Sequence, residues 1–272
     1  MRFRKILCHF NRENPASQAS AEALTEELRR ASLDVADDPE LMATWQPDLL
    51  ILLGGDGFLM ESLRHLDYPS TPVFGVNFGT VGFLMNTREC LPNLVRMIQT
   101  GEFKEEEHPV LEAKVELEGG ATDRLLAFND FVVERMTRQS IRLQLTLDDV
   151  PFNHYAGDGF VLSTAAGSTA YNLAAGGPVV HPGIQGIVIT PLYPHRASPF
   201  HSVQFSLIVP LKSRLQLVAS DLPKRSMRMV ADGRQLEHVS TVVIGDSRRR
   251  ITLLRPLNHL FVKTLTRKFI GG

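Results

Sequence analysis

Cysteine is scarce in this 272-residue chain. Only Cys8 and Cys90 occur, too few for a disulfide framework, which points to a reducing compartment and so to the cytoplasm. An excess of one charge is also missing. Lys plus Arg number 29 against 30 Asp plus Glu, a formal net charge of -1, so the chain has no global basic field of the kind that accompanies nucleic-acid binding. No segment approaches the roughly 20 apolar residues of a membrane helix, and residues 1–10 hold no stretch of signal-peptide length. The expectation is a soluble protein with neither a membrane nor a nucleic-acid partner. The nine histidines show no metal-ligand spacing, which argues against zinc. Gly-x4-Gly-Lys-Ser/Thr, Gly-x-Gly-x-x-Gly after a strand, and Gly-x-Ser-x-Gly are all absent, which removes P-loop kinases and the Rossmann dinucleotide fingerprint and leaves serine-hydrolase chemistry with little support. Repeats and low-complexity tracts are absent too.

What is present falls into two grammars. Strand-like runs at 3–8, 49–53 and 72–76 alternate with helical spacing at 17–33, 58–65 and 89–98, the first of these helices carrying Ala21, Leu24, Leu28 and Ala31 on one face. This βαβα order predicts a parallel sheet. After Glu105-Glu106-Glu107 and His108-Pro109, short alternating segments take over at 111–117, 141–147, 160–162, 187–190, 204–209, 215–219, 227–230 and 239–244, which predicts a mainly β domain. Arg248-Arg249-Arg250 reads as a solvated turn before a strand at 251–254. The chain therefore divides into an amino-terminal, Rossmann-like α/β domain over residues 1–105 and a mainly-β domain over 106–255, with a cleft between directly packed domains as the natural site.

The most informative motif is Gly54-Gly55-Asp56-Gly57, between the apolar run ending at Leu53 and the helical spacing that begins at Phe58. Glycines there permit positive φ and close approach of a phosphate, and the helix start attracts anions. A second glycine loop, Asn77-Phe78-Gly79-Thr80-Val81-Gly82-Phe83-Leu84, would lie at the same sheet edge. In the β half come Phe128-Asn129-Asp130, Gly157-Asp158-Gly159, and a dense run of small residues, 163–178, in which Ser168 or Thr169 would cap a short helix ending near Gly176-Gly177-Pro178. Each motif alone also reads structurally: a βα turn for Asp56, an Asx turn for Asn129-Asp130, an Asp-Gly hairpin for Asp158, a core position for Phe83.

In this order, with Gly157-Asp158-Gly159 and the 163–178 run counted as one, the four motifs resemble those of the NAD kinase family over residues 48–200. The resemblance implies transfer of the γ-phosphoryl group of ATP, or of polyphosphate, to the 2′-hydroxyl of the adenosine ribose of NAD, giving NADP. It also implies Mg²⁺, a cytoplasmic homodimer or homotetramer, a β-sandwich-like second domain, and a tail of about 256–272 returning to the first domain. Asp56 becomes the candidate catalytic carboxylate, as general base or as Mg²⁺ ligand, with Gly55 and Gly57 admitting phosphate. Asn129, Asp130 and Asp158 become nucleotide ligands, and Thr169, Ala170, Tyr171, Asn172, Leu173 and Ala174, with Phe83, the surface on which the dinucleotide packs.

Departures from the family pattern are Phe58 in place of Thr, Ala165-Ala166 in place of Thr-Pro-Ser/Thr-Gly, Ala156 in place of a basic residue, and Arg234 in place of Gln. Phosphate-neutralising residues are consequently hard to name, with Arg196, Arg225 and Arg234 as candidates. A non-catalytic NAD(P)-binding regulator is the alternative these departures motivate; a lipid or sugar kinase sharing the glycine motif is a further one.

Overall fold

The computed structural model describes residues 2–80, 82–196, 201–222 and 224–270. Val81 of the second glycine loop and the last two residues of the tail lie outside them. The chain forms two compact units, one holding residues up to Glu107 together with those from Arg250 onward, the other running His108–Arg249.

In the first unit the order is β1 (Lys5–Phe10), α1 (Pro15–Arg30), β2 (Asp34–Ala36), a short α2 (Met42–Trp45), β3 (Leu49–Gly54), α3 (Asp56–His65), β4 (Val73–Asn77) and α4 (Leu91–Thr100). The strands pair in parallel in the order β2-β1-β3-β4. Leu253, from the last strand of the chain, extends this sheet by pairing with Val73. Because β3 is flanked on both sides, all six of its residues are buried, which is why its sequence is an unbroken apolar run. Helix α1 begins where the Asn14 side chain accepts the amides of Ala16 and Ser17 at 3.1 and 3.2 Å, with Pro15 at the first helical position and Arg29 and Arg30 in the last turn. Cap, proline and charge agree with one another. Its buried residues are Ser17, Ala21, Leu24 and Leu28, three of the four on the expected face, while Ala31 follows the last turn as the cap. Reversal of strand order between β1 and β3 marks the carboxyl end where open α/β sheets take ligands, and Asp56 stands directly after β3.

The second grammar folds as expected into antiparallel strands: β5 (Phe103–Leu117), β6 (Thr122–Ala127), β7 (Asp130–Arg135), β8 (Ile141–Leu147), β9 (Val150–Gly157) and β10 (Gly159–Ser163), then the one-turn helix α5 (Tyr171–Ala174), β11 (Gly186–Leu192), β12 (Leu207–Pro210), β13 (Leu215–Ser220), β14 (Met227–Ala231) and β15 (Arg234–Pro256), before the terminal α6 (Phe261–Leu265). Strands follow β12-β11-β10-β7-β14-β15, while β13 joins β15 to the β8–β9 pair and β5 pairs with β6. Alternate residues such as Ile141, Leu143, Leu145, Leu215, Leu217, Val242 and Ile244 meet in one core, the period-two pattern of half-buried strands.

Two local expectations change. Arg248-Arg249-Arg250 is not a turn but part of the long β15, with Arg248 at φ 66° and Arg250 Nε 3.7 Å from Glu107. The helix expected from Ser168 or Thr169 to Ala175 is instead a 3₁₀ turn, Gly167–Thr169, followed by α5, and neither has a side-chain cap. The Ser168 hydroxyl turns inward, donating to the Ala165 carbonyl at 2.7 Å and accepting the Val180 amide at 3.0 Å. No capped helix start therefore faces a ligand there.

Candidate functional site

In the first unit, the glycine motif works through space, not through unusual dihedrals. Gly55 has φ -106° and ψ 179°, and none of Gly54, Gly55 and Gly57 is among the positive-φ glycines, which corrects the expectation of left-handed backbone. A Cβ on Gly54 would lie 2.5 Å from the Phe58 side chain, one on Gly55 3.7 Å from the Gly79 backbone, and one on Gly57 would meet nothing within 4 Å. The start of α3 is thus left open at Gly57. Phe58, the departure from Thr, fills the space over Gly54 and packs on His9 with ring centroids 4.9 Å apart.

The Asp56 carboxylate is held from the second glycine loop: Oδ2 accepts the Phe83 amide at 2.6 Å and Oδ1 the Leu84 amide at 3.2 Å. Burial raises its pKa, and those two amides together with Lys268 and Arg255 oppose the rise. A carboxylate in this setting is a stronger base than an exposed Asp. Arg255, 3% exposed, donates from Nε to Glu106 and from Nη1 to the Leu84 carbonyl, each at 2.9 Å. Lys268 lies over the Phe83 ring, its Nζ 3.9 Å from the centroid, and burial pushes it down to about 8 while Asp56 pulls upward. Phe83 also meets Phe269, with centroids 5.1 Å apart. Its ring is partly covered by the tail and is neither a core residue nor a bare platform. Lys268 and Arg255 were not legible as site residues, because their only signal is a basic side chain within a terminal apolar stretch.

In the second unit, Asn129 and Asp130 are organised by a residue that sequence reasoning passed over. Asp232 and Gly233, at φ 43° and 90°, form the two-residue hairpin turn between Ala231 and Arg234, where both positions need positive φ. The Asp232 carboxylate accepts the amides of Phe128 at 2.6 Å, Asn129 at 3.1 Å and Asp130 at 3.3 Å. The Asp-Gly hairpin is therefore here and not at Asp158-Gly159, whose flanking strands β9 and β10 pair with other strands. Asp158 instead sits 2.7 Å from Arg135 Nε, and Gly159 is required because a Cβ would fall 1.9 Å from the Val133 carbonyl.

The small-residue run packs onto the Asn129 loop. Thr164 donates its amide to the Asn129 carbonyl at 2.9 Å and its hydroxyl to the Phe128 carbonyl at 2.7 Å; a Cβ on Gly167 would lie 2.2 Å from the Asn129 carbonyl. Beside this contact, the Asn129 side-chain oxygen is buried without a hydrogen-bond partner. Such an acceptor is costly unless a ligand completes it. Tyr171 is 45% exposed, and its hydroxyl pKa is raised by burial and then by Glu134, Tyr193 and Asp130. Thr169, Ala170, Leu173 and Ala174 are at least partly exposed alongside it. Asn172 is different. Fully buried, it donates to the carbonyls of Ser168 and Pro178 at 3.0 Å each and accepts from Thr190 at 2.7 Å, so its amide is committed to the fold. The candidate phosphate neutralisers are engaged as well: Arg196 with Gln204, Arg225 with Ser140 and Asp221, Arg234 with Asp123.

Asp130 is raised to about 7, by burial first and by the Asp232 charge second. Unfolded, it titrates near the ordinary value of about 3.9. Between those values the folded state binds the extra proton, so this group lowers stability as pH rises from about 4 to 7, with no further loss above. Asp130→Asn removes the effect. The expected result is thermal unfolding close to wild type at pH 4.5 and a variant more stable by on the order of 2 kcal/mol at pH 8; equal differences at both pH values would show that Asp130 is not a raised acid.

A fold of this kind, an α/β unit with a carboxylate at a glycine-rich βα turn and an antiparallel β unit with a preorganised Asn-Asp loop, defines a class of nucleotide-handling proteins. The family models make the assignment specific: the ATP-NAD kinase N-terminal domain matches residues 6–100 and the ATP-NAD kinase C-terminal domain residues 128–251. This chain belongs to the NAD kinase family. NAD kinase of Thermomicrobium roseum is 34% identical over 235 residues, covering 85% of this chain and 77% of that protein; NAD kinase of Burkholderia vietnamiensis is 32% identical, covering 81% and 73%. Among solved structures, yeast NADH kinase complexed with NADH superposes with a TM-score of 0.84 at 19% identity over 100% of this chain and 88% of that one. An NAD kinase from Archaeoglobus fulgidus in complex with ATP gives 0.76 at 23% identity over 96% and 99%. At these identities the superpositions speak for the fold.

Proposed function

We propose that this chain is an NAD kinase, transferring the γ-phosphoryl group of ATP to the 2′-hydroxyl of the adenosine ribose of NAD to give NADP. The observation that carries the reading is the Asp56 carboxylate, gripped by the Phe83 and Leu84 amides at the open start of α3, within the part of the chain that matches the kinase N-terminal domain. A ribose hydroxyl is a poor nucleophile at neutral pH. A partly desolvated carboxylate accepts its proton as the O–P bond forms, and the remainder of phosphoryl transfer is positioning and charge. Asn129, through its partnerless side-chain oxygen, Asp130, and the exposed Tyr171 are the proposed NAD ligands. Asp158, ion-paired to Arg135, stands at the other end of the β7–β10 pair from Asp130, which pairs with Ser163.

Among the described residues no cluster of three or more His, Cys, Asp or Glu side chains is arranged around an ion. Asp56 is the carboxylate of the first unit that would hold Mg²⁺ in the role alternative to that of base, with phosphate oxygens and water completing the ion's shell. When bound, the ion supplies charge neutralisation on the phosphate oxygens. Among the described residues no helix is long and apolar enough to cross a membrane, and we assign the enzyme to NADP biosynthesis in the cytoplasm as a homodimer or homotetramer.

The test is NADP formation by the purified chain from NAD, ATP and Mg²⁺, with polyphosphate as a parallel donor. Turnover with ATP is the expected outcome, and turnover with polyphosphate would widen the donor class. No NADP from either donor, with NAD still bound, would replace the enzyme by a regulator that only binds the nucleotide.

A further inference from the structure

Among the charges that act on Asp56, two come from basic side chains, Arg255 and Lys268, and they differ in one decisive respect. Arg255 is committed: its guanidinium is buried, donating to the Glu106 carboxylate and to the Leu84 carbonyl. Lys268 is not. Its Nζ is buried and has no hydrogen-bond partner, although an ammonium carries three donors and no acceptor.

The position of this ammonium is built. The tail enters through α6, and the next turn, Thr266–Ile270, brings Phe269 onto the Phe83 ring and Lys268 over the face of the same ring. Phe83 is the residue whose amide grips Asp56. One side chain therefore links the carboxylate through its backbone and the ammonium through its ring. Cation–π contact compensates in part for the missing hydrogen bonds, yet it satisfies none of the three N–H donors. An anion with several acceptor oxygens, brought next to Asp56, would satisfy them.

We propose that Lys268 is a catalytic residue that contacts the transferring phosphoryl group of the donor, supplying the cation that Arg196, Arg225 and Arg234 do not provide. The proposal rests on the kinase reading above. In the reaction the 2′-oxygen forms its bond to the γ-phosphorus as the bond to the β–γ bridging oxygen breaks. The hydroxyl proton passes to Asp56, and the electron pair of the broken bond leaves on ADP. Lys268 transfers nothing. Its ammonium stabilises negative charge on the oxygens of the phosphoryl group while the two bonds exchange. The same chemistry serves a polyphosphate terminus, which shares those oxygens, so both donors are arms of the test.

The test compares Lys268→Met and Lys268→Arg in the full chain. The two possible roles predict opposite orders. A side chain that only covers the Phe83 ring is best replaced by Met, which has similar length and is apolar; a phosphoryl-facing cation is best replaced by Arg. The expected result is a fall in kcat with ATP of about 100-fold for Lys268→Met, a raised KM for ATP, an NAD affinity within about threefold of wild type, and recovery to within about tenfold of wild type in Lys268→Arg. Polyphosphate, if used as donor, should show the same ranking. Lys268→Met turning over like wild type, or better than Lys268→Arg, overturns the proposal. Should Lys268→Met fail to fold, as judged by circular dichroism, Lys268→Gln takes its place with the same predictions. Inorganic tripolyphosphate binding, measured by calorimetry, separates the two levels of inference. Loss of at least tenfold in its affinity in the Met or Gln variant supports the Lys268 contact even if wild type makes no NADP, which would sink only the kinase reading. Unchanged affinity in a wild type that does make NADP sinks the Lys268 assignment alone.

Discussion

Replacing Asp56 with Asn is expected to lower the rate of NADP formation by two or more orders of magnitude, with NAD affinity little changed. The size follows from what the substitution removes. An amide cannot accept the ribose proton, and loss of a positioned acid–base group costs roughly 10²–10⁴ in rate. Asn is the conservative choice because one of its side-chain atoms can still accept an amide, although the other then presents N–H where the carboxylate accepts a second one. Stability moves in two directions. Burial raises the Asp56 pKa, so neutralising the group relieves a desolvation cost. Disturbing the hold on the Phe83 and Leu84 amides opposes that gain. Thermal unfolding should therefore change modestly while kcat collapses. A variant retaining more than a tenth of wild-type kcat would show that Asp56 positions the second glycine loop and performs no chemistry. A pH–rate profile adds a check: the limb due to a carboxylate with a raised pKa should be present in wild type and lost in the variant.

Legibility of this molecule in its sequence divides according to whether a signal is periodic or relational. The face of α1 at Ala21, Leu24 and Leu28 and the buried run of β3 are periodic, and both were plain. So was the change of grammar into antiparallel strands, since alternation such as Ile141, Leu143 and Leu145 needs no knowledge of partners. The great length of β5 and β15 was not, because polar stretches such as Arg248-Arg249-Arg250 interrupt alternation where the strand carries a positive-φ residue. At the site, Asp56, Asn129 and Asp130 were visible as motifs. What was invisible is who holds them. Asp232 supports the Asn129 loop from about a hundred residues away, and Lys268 reaches the Asp56 neighbourhood from the end of the chain. An Asp-Gly pair signals a hairpin turn equally well at Asp158 and at Asp232, and only the strand pairing decides. Asn172 shows the converse: within a motif it reads as a ligand, and what the motif does not reveal is that its side chain also braces α5 against Thr190.

The largest stability effect is expected at Arg255. Arg255→Met should destabilise the protein by about 3 kcal/mol, because removing one member of a buried ion pair leaves the other uncompensated. Glu106 is 9% exposed at its side chain and Arg255 3%, so water does little to replace the guanidinium. Lys104 lies 3.5 Å and His259 3.9 Å from Glu106, which keeps the expected loss toward the low end of the range. Burial lowers His259 to about 4, so at neutral pH it brings no charge, whereas Lys104 does. The Leu84 carbonyl also loses its donor, and that has a catalytic consequence: the Leu84 amide is one of the two that grip Asp56. Below the unfolding transition, Arg255→Met should therefore also lose activity, by roughly tenfold, the scale of a hydrogen bond removed one step from the reacting carboxylate. Urea unfolding measures the first effect and initial rates at low temperature the second. Adding Glu106→Leu to Arg255→Met should restore part of the stability, because the stranded carboxylate is gone, and none of the activity, because Leu84 remains unheld. Restoration of both would mean that Arg255 acts on the site only by keeping the fold intact.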